Sequence, residues 1–435
     1  MPVELADILY RGQKAAAVYW NVERGCASFQ YTPDFIDTGI QPAPLHMPLR
    51  KAPYEFPSLH ASFQGLPGLL ADGLPDTYGN TLINDWLRRQ NRNPDDFSPV
   101  ERLCYIGNRG MGALEFRPSL RSGVSKAEEV DVGHLAELAQ EVLSHRQDLT
   151  TSMDQEGLNE ILRVGTSAGG ARAKAVIVWN AETGEVRSGQ ADAPPGFTHW
   201  LLKFDGVTES FDGVQDPQGY GRIEYAYHRM AMKAGIRMSE CRLFTENGRA
   251  HFMTRRFDRP GDGGKIHYAS LFGLAHMAYS APGTHAHSYE DWFEVLQKLD
   301  FSVEDRKEAF RRMVFNVFAR NCDDHSKNFG FLMHETGQWQ LAPAFDVTYA
   351  HNPGPGKWTA TQQMSVHGKR RNITREDLLA AGHQSGIATR PKLKQIIDQI
   401  TEALTHWTSE AEQAGVPEAQ ASAIQNARET GDTGN

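Results

Sequence analysis

The stretch RNCDDHSKNFGFLMHETGQWQLAPAFD, Arg320 to Asp346, decides the fold of this chain, because it predicts a β-hairpin with polar side chains at both ends. The runs FGFLM and QWQLA are typical of two strands, and HETG between them is typical of a turn. A hairpin returns the chain to the place where it started. We therefore expect Asp346 to lie beside Asp323 and Asn328, so that three oxygen-bearing side chains converge at the open end of the hairpin.

A helix is predicted immediately before this hairpin, over residues 301–320. It opens with Ser302 and Asp305, which have the spacing of a capping box. Its apolar residues recur at the spacing of one buried helical face: Phe310, Met313, Val314, Val317 and Phe318. The polar side chains of the hairpin therefore emerge from the end of a packed helix.

Three converging oxygens of this kind are suited to phosphoryl transfer. In protein kinases a catalytic Asp is followed five residues later by an Asn, and a metal-binding Asp lies beyond a short hairpin. Asp323 and Asn328 have that spacing, and Asp346 has the third position. The first Asp would orient the attacking hydroxyl, while Asn328 and Asp346 would hold Mg²⁺ against the nucleotide phosphates. Lys327 is placed to steady the transferred phosphate.

The same stretch leaves a second interpretation open. Asp324 and His325 also suggest a metal phosphohydrolase built on a His-Asp cluster, and a single Asp-x4-Asn pair occurs by chance in many proteins. Such a hydrolase requires several further His ligands on helices. His334 and His351 are instead predicted in a turn and a loop, so the spacing favours the kinase pattern.

The composition excludes several classes of protein. With 435 residues, 40% hydrophobic and 23% charged, the chain is expected to form two or three packed globular units. No run of about 18 apolar residues and no signal peptide are present, so we expect a cytoplasmic protein without a membrane span. The net charge of −9 gives no general attraction to nucleic acid. The four cysteines are scattered without a CxxC pair, which argues against a zinc site or a disulfide framework: Cys26, Cys104, Cys241 and Cys322.

The order of predicted elements indicates an α+β protein with a sheet-rich first part, a helix-rich second part and a cleft between them. AKAVIVWN, HWLLKF and CRLFTENGRAHFMTRRFD are typical of strands, and the last contains a hairpin turn at residues 246–248. GNTLINDWLRRQ, VGHLAELAQEVLSHR, DQEGLNEILR and RIEYAYHRMAMKAG are typical of helices. The predicted units are an N-terminal subdomain, a nucleotide-binding lobe, a helical catalytic lobe and a frayed tail, at residues 1–125, 126–258, 259–425 and 426–435.

The nucleotide side is predicted between residues 165 and 203. A glycine-rich loop before a strand lets backbone N–H groups approach phosphate oxygens. It is not a Walker A loop, because GxxxxGK[ST] is absent. Lys174 and Lys203 both fall on strands predicted to be buried, where an ammonium needs a partner. A phosphate or Glu224 on the following helix could pair with Lys203, as in the lysine–glutamate pair of kinases.

Taken together, these pieces resemble the HipA family, the serine/threonine kinase toxins of bacterial type II toxin–antitoxin modules. The resemblance runs over nearly the whole chain. It rests on FQGLPGLLADGLPDTYGN, TSAGGARAKA, HWLLKF, TRRFDR, NCDDHSKNFGFL and LAPAFDV, in that order. It implies a two-lobed protein-kinase-like fold with an added N-terminal subdomain, which moves the γ-phosphoryl group of ATP to a protein serine or threonine. The target implied is a translation component such as an aminoacyl-tRNA synthetase.

The resemblance also implies residue roles. Asp323 would be the catalytic aspartate, Asn328 and Asp346 would hold Mg²⁺, and Ser167 would be the autophosphorylated loop serine that silences the enzyme. Arg255 stands where the family has a glutamate, so side-chain roles in that segment are not implied. ATP would be contacted by the following residues: Gly169, Gly170, Ala171, Arg172, Ala173, Lys174, Lys203, Arg255, Arg256, Phe257, His325, Ser326, Lys327, Asn328, Phe345 and Asp346.

Partners follow from the same resemblance. A small helix-turn-helix antitoxin, HipB, would bind the chain and hold operator DNA. The basic run Lys369, Arg370 and Arg371 falls where such a kinase would touch the DNA backbone, although a solvated basic loop is the alternative in so acidic a chain. Two other functions stay open: a small-molecule kinase with the same three site residues, and a non-catalytic partner that helps a repressor bind its operator.

Overall fold

Two five-stranded sheets form the sheet-rich part of the chain. The computed structural model describes residues 3–121, 126–144, 153–165, 172–207, 219–261, 263–279, 287–354 and 357–430. The strands of the first sheet are β1 Leu5–Tyr10, β2 Gln13–Asn21, β3 Cys26–Tyr31, β4 Tyr54–Glu55 and β5 Leu114–Arg117, in the order β4-β3-β2-β1-β5. Those of the second are β6 Lys174–Trp179, β7 Val186–Ser188, β8 Thr198–Lys203, β9 Cys241–Glu246 and β10 Arg249–Arg255, in the order β7-β6-β8-β10-β9. Three short strands follow: β11 His267–Ser270, β12 Gly330–Met333 and β13 Trp339–Leu341.

The helices are distributed along the whole chain. Those before residue 165 are α1 Pro33–Ile36, α2 Gly68–Ala71, α3 Thr77–Arg89, α4 Pro99–Ile106, α5 Val132–Ser144 and α6 Gln155–Leu162. Those after it are α7 Tyr220–Lys233, α8 Leu271–Ala275, α9 Tyr289–Lys298, α10 Val303–Phe318, α11 Arg375–Gln384, α12 Arg390–Leu404, α13 Trp407–Ala414 and α14 Glu418–Thr430. The α+β class predicted from the sequence is confirmed. None of the helices in the described ranges combines the length and the hydropathy that a bilayer crossing requires.

Contacts divide the chain into two compact units. The first unit contains Met1–Gly221, Arg242–Ala269 and Met333–Gln338, and the second contains Arg222–Cys241, Ser270–Leu332 and Trp339–Asn435. In the first unit, β6 and β8 pair antiparallel with Lys174 opposite Lys203, and side chains of β6, β8, α3, α5 and α6 share one buried core. The β9–β10 turn confirms the predicted hairpin, because Asn247 and Gly248 both have positive φ, the conformation that tight hairpin turns demand.

In the second unit, α10 confirms the helix predicted before the polar stretch. The backbone N–H of Asp305 donates to the Ser302 hydroxyl at 3.1 Å, and that hydroxyl donates to the Asp305 carboxylate at 2.7 Å. The predicted apolar face is buried from Phe310 to Val317, whereas Phe318 is only partly buried. Arg312 and Asn316 are buried on the same helix, so α10 is enclosed more widely than its apolar spacing indicated.

Candidate active site

The polar stretch begins where α10 ends. Tyr227 donates its hydroxyl to the carbonyl of Ala319, the residue that caps the helix, and Arg320 follows in a left-handed conformation with φ +58°. The side chain of Asn321 then donates to the side chain of Asn316 at 2.9 Å. The end of a buried helix thus fixes the direction in which the next residues leave it.

A short helical turn follows Asp323 and ends at Asn328. Ser326–Asn328 form a 3₁₀ turn, and the backbone N–H of Lys327 donates to His325 Nδ1 at 3.3 Å. This turn brings Asn328 Nδ2 to 2.8 Å from the backbone oxygen of Asp323, to which it donates. The amide nitrogen of Asn328 is used in this way, which leaves its side-chain oxygen as the group able to bind a cation.

The β12–β13 hairpin returns the chain as predicted. Beyond β13, Ala344 N donates to the Arg237 carbonyl at 2.8 Å, and Asp346 takes a left-handed conformation with φ +54°. Such a backbone is costly for a residue with a side chain and persists where the surroundings impose it. Asn328, Phe345 and Asp346 line the same small cavity, whose volume of about 20 Å³ suits one water or a bare ion. The structure therefore brings Asn328 and Asp346 together.

The Asp323 carboxylate is oriented by a residue that sequence reasoning missed. Trp358 Nε1 donates to Asp323 Oδ1 at 2.6 Å, and His325 Nε2 lies 3.6 Å from the same oxygen. The Asp323 side chain remains 41% exposed, so a hydroxyl from solvent can reach it. Trp358 is 35 residues further along the chain and belongs to no short motif, so no local signal indicated it.

Asp324 lines the same small cavity as Asn328 and Asp346, but its carboxyl group is hydrogen-bonded within the protein. Its carboxyl group is buried and accepts from the Tyr289 hydroxyl at 2.7 Å and from the backbone N–H of Gln363 at 2.6 Å. Burial raises the pKa of Asp324 to about 8, and the two hydrogen bonds offset this only in part. Within the described residues, no group of three or more His, Cys, Asp or Glu side chains is arranged to hold a metal ion. The described residues therefore do not contain the cluster of metal ligands that the His-Asp phosphohydrolase interpretation requires.

Two other residues of the turn have defined contacts. The Ser326 hydroxyl is buried and donates to the Met277 carbonyl at 2.6 Å. The Lys327 ammonium lies 4.7 Å from the centre of the Phe272 ring and 5.1 Å from that of Tyr279. Ser326 thus anchors the turn, while the charge of Lys327 is held over two aromatic faces.

The predicted nucleotide lysines lie in the first unit. Lys174 is buried at the start of β6, with Nζ 3.5 Å from Asp76 Oδ2, and Asp76 also caps α3 by accepting from Gly79 N at 2.6 Å. The sequence did not indicate this partner, which lies about a hundred residues earlier. Lys203 ends β8 and is only partly buried, with Nζ 5.8 Å from the centre of the Phe252 ring.

The remaining residues of this side are in part outside the described ranges. Glu224 is buried on α7, and its pairing with Lys203 stays a prediction. Arg172 stacks its guanidinium on the Tyr220 ring at 3.3 Å, and Ala173 is buried. The loop positions Ser167, Gly169, Gly170 and Ala171 lie outside the described residues.

The segment around Arg255, Arg256 and Phe257, which is expected to contact ATP, contains a buried charge cluster. Arg256 donates from Nε and Nη2 to the two oxygens of Asp258 at 2.9 and 2.7 Å, and Arg259 Nη1 donates to the same carboxylate at 2.7 Å. Gly112 N adds a fourth donor at 2.8 Å. Burial by itself would raise the pKa of Asp258, but the charges of Arg256 and Arg259 outweigh it and hold that pKa well below its ordinary value.

This cluster limits how the segment can contact a nucleotide. The side chain of Arg256 is committed to Asp258, so a contact from Arg256 to adenine would come from its backbone. Arg255 ends β10 and is partly buried, and Phe257 packs against Tyr268 with ring centres 5.9 Å apart.

The basic run after residue 368 is largely committed to neighbours. Lys369 Nζ lies 2.9 Å from Asp377 Oδ2, and Arg370 Nη2 donates to Gln363 Oε1 at 3.2 Å. Arg371 is exposed. Of the three, Arg371 is the best placed to meet an external phosphate.

Two family models match this chain, and both describe domains of HipA. The HipA N-terminal domain matches residues 6–117, and the HipA-like C-terminal domain matches residues 166–408. The candidate kinase Y4mE of Sinorhizobium fredii is 23% identical over 375 residues, which cover 80% of this chain and 77% of Y4mE. A candidate kinase of Haemophilus influenzae is 24% identical over 159 residues, covering 33% of this chain and 46% of that protein.

A solved structure shows the same fold. It is described as the Shewanella oneidensis MR-1 toxin–antitoxin system of HipA, HipB and operator DNA. The matching chain is 14% identical with a TM-score of 0.67, and the match covers 98% of this chain and 95% of that one.

Proposed function

The chain belongs to the HipA family, and from this premise we propose that it is an ATP- and Mg²⁺-dependent serine/threonine protein kinase that acts as the toxin of a type II toxin–antitoxin module. In this proposal residues 1–125 form the family's N-terminal subdomain, residues 126–258 bind the nucleotide, and residues 259–425 carry the catalytic groups. Both relatives described above are named as candidate kinases, which supports the reaction class.

One observation carries the proposal. Asn328 and Asp346, which are 18 residues apart in the chain, line one cavity of about the size of an ion, and Asn328 is hydrogen-bonded to the backbone of Asp323. Carboxylate and carboxamide oxygens are the ligands Mg²⁺ prefers, and it commonly takes only one or two carboxylates together with substrate phosphates. The donor set fits the metal. When bound, Mg²⁺ with ATP supplies the phosphoryl group and the positive charge that offsets its phosphates.

The other roles belong to side chains of this chain. Asp323 accepts the proton of the attacking hydroxyl, with Trp358 holding its carboxylate in one orientation. Lys327 lies on the same turn as Asn328, and we assign it the role of steadying the transferred phosphate. The contacts to ATP from Lys174, Lys203 and the backbone of residues 255–257 are part of the proposal, as is autophosphorylation of Ser167.

The partners are proposed on the family likeness. The matching solved structure contains HipB and operator DNA, which supports a HipB-like antitoxin as the partner of this chain and operator DNA as an indirect one. Arg371 is the residue of the basic run that would face the DNA backbone. The protein substrate belongs to translation, with an aminoacyl-tRNA synthetase as the first candidate to test.

The deciding experiment is incubation of the purified chain with ATP labelled at the γ position. Label should appear on the chain itself and disappear in Ser167→Ala. Asp323→Asn should lose about a thousandfold in rate, the usual cost of removing one well-placed transition-state group. Asp300→Asn, at an exposed loop position of the same unit, is the matched control and should keep full activity. Normal transfer by Asp323→Asn would show that the role assigned to Asp323 is wrong.

The same samples separate the two alternatives. Label that stays off proteins but appears on a small molecule indicates a small-molecule kinase. A chain without any transfer that still tightens binding of the antitoxin to its operator, measured by gel shift, indicates a non-catalytic partner.

A further inference from the structure

A polar cavity in the first unit is not used by the proposed reaction. Its volume is about 250 Å³, far more than a few waters need. Neither Lys174 nor Lys203 lines it. The polar residues that line it include five that carry nitrogen donors or positive charge: Arg109, His199, Arg256, Arg259 and Lys265.

The buried charges around this cavity do not balance. Arg256 and Arg259 share one carboxylate, Asp258, and Lys265 Nζ is 2.8 Å from Glu115 Oε1. Arg109 donates to the backbone carbonyls of Tyr105 and Arg121, and no carboxylate of the described residues pairs with it. Among the described residues, four cations thus face two enclosed carboxylates. Asp192 also lines the cavity; it is exposed, and its charge attracts Arg259, so positive charge remains in excess by less than the enclosed groups alone give.

Two buried nitrogen atoms at this cavity lack a partner. Within the described part of the chain, Arg109 Nε and His199 Nδ1 are buried atoms without a hydrogen-bond partner. Burial, with the nearby charges of Arg256 and Arg259, lowers the pKa of His199 to about 4, so its ring is neutral at pH 7 and donates from one nitrogen. A buried donor without an acceptor is costly, so an acceptor is expected here.

We propose that this cavity binds a small phosphate monoester as a dianion. Guanidinium groups and a lysine offer the geometry that phosphate oxygens accept, and the excess of positive charge favours an anionic ligand. Arg256 is the one residue shared with the expected ATP contacts. Its guanidinium, paired with Asp258, lines this cavity, and only its backbone is expected to contact ATP, so both ligands can be bound at once.

The test uses the full chain and glycerol 3-phosphate as the probe, titrated by calorimetry in a chloride buffer. Wild type should show saturable binding that persists with saturating ATP and Mg²⁺. Lys265→Gln should raise the Kd at least about tenfold, the cost of one charge-assisted hydrogen bond. Lys265→Arg, which keeps the charge, should restore most of the affinity. Lys14→Gln, which removes an exposed lysine of the same unit, should leave it unchanged.

Three results would overturn the proposal. They are no saturable heat with wild type, equal Kd values for Lys265→Gln and Lys14→Gln, and displacement of the probe by ATP. The last would place the probe in the nucleotide site instead. Melting temperatures of the variants, measured in the same chloride buffer, show whether each is folded before it is titrated. Failure of kinase activity leaves this test unaffected, because binding is its readout.

Discussion

Replacing Asp258 by asparagine should strongly destabilise the first unit while leaving its shape unchanged. The Asp258 carboxylate accepts four hydrogen bonds, from Arg256 Nε and Nη2, Arg259 Nη1 and Gly112 N, at 2.7 to 2.9 Å. Asparagine has nearly the same shape as aspartate, but its NH₂ group cannot accept the hydrogen bonds that one carboxylate oxygen accepted. The substitution also removes the negative charge that the two buried guanidinium groups share. The substitution therefore isolates the electrostatic contribution of one carboxylate.

The magnitude follows from the burial of the partners. Side chains of Arg256 and Asp258 are at most 2% exposed and that of Arg259 is 8% exposed, so solvent cannot replace the lost carboxylate. Removing one partner of a buried ion pair costs about 3–5 kcal/mol. For a domain of this size, 1 kcal/mol lowers the melting temperature by about 2–4 °C. The expected fall is therefore about 6–20 °C.

The assay is thermal unfolding followed by circular dichroism, with Asp7→Asn as the matched control. Asp7 pairs with Lys14 at 2.8 Å in the same unit, but both side chains are about half exposed, and such pairs contribute little. The control should melt close to wild type. Because the pKa of Asp258 is lowered on folding, its contribution is present above about pH 4 and is lost as the pH falls further. If Asp258→Asn melts within 2 °C of its parent, the cluster does not hold this unit together as argued.

Two further predictions concern the candidate active site. Trp358→Phe keeps an aromatic ring but removes the N–H donor to Asp323, so kcat should fall about tenfold with an unchanged KM for ATP in steady-state kinetics. An unchanged kcat would contradict the orienting role. Folding raises the pKa of Asp324 to about 8, because burial disfavours the charged form of the carboxyl group. The contribution of Asp324 to stability is therefore complete below about pH 4 and is lost as the pH rises to about 8. The free energy of unfolding in urea should therefore fall across that range by up to about 1.4 kcal/mol per pH unit more in wild type than in Asp324→Asn, and parallel curves would refute the shift.

The parts of this structure that the sequence predicted are those with local signals. The β12–β13 hairpin has a turn between two apolar runs, and this was enough to place Asp346 near Asn328. The cap and apolar face of α10 follow from spacing within one helix, although the burial of Arg312 does not.

The parts that could not be predicted depend on contacts between distant residues. Gly112 and Asp258 are 146 residues apart, and Trp358 and Asp323 are 35 apart. No periodicity or turn rule connects such positions, because only the folded chain brings them together. The same holds for Lys174, which pairs with Asp76, the residue that caps α3.

Burial of Asp324 reduces the negative charge that a bound polyanion meets near Asp323. Asp323 and Asp324 are adjacent in the chain, yet at neutral pH the second is mostly protonated. A like charge about 8 Å from a phosphate costs about 2 kcal/mol at an effective dielectric constant of about 20. An incoming triphosphate is therefore not repelled by Asp324 at neutral pH, although the sequence contains two adjacent aspartates. Above pH 8 Asp324 becomes charged and adds its repulsion.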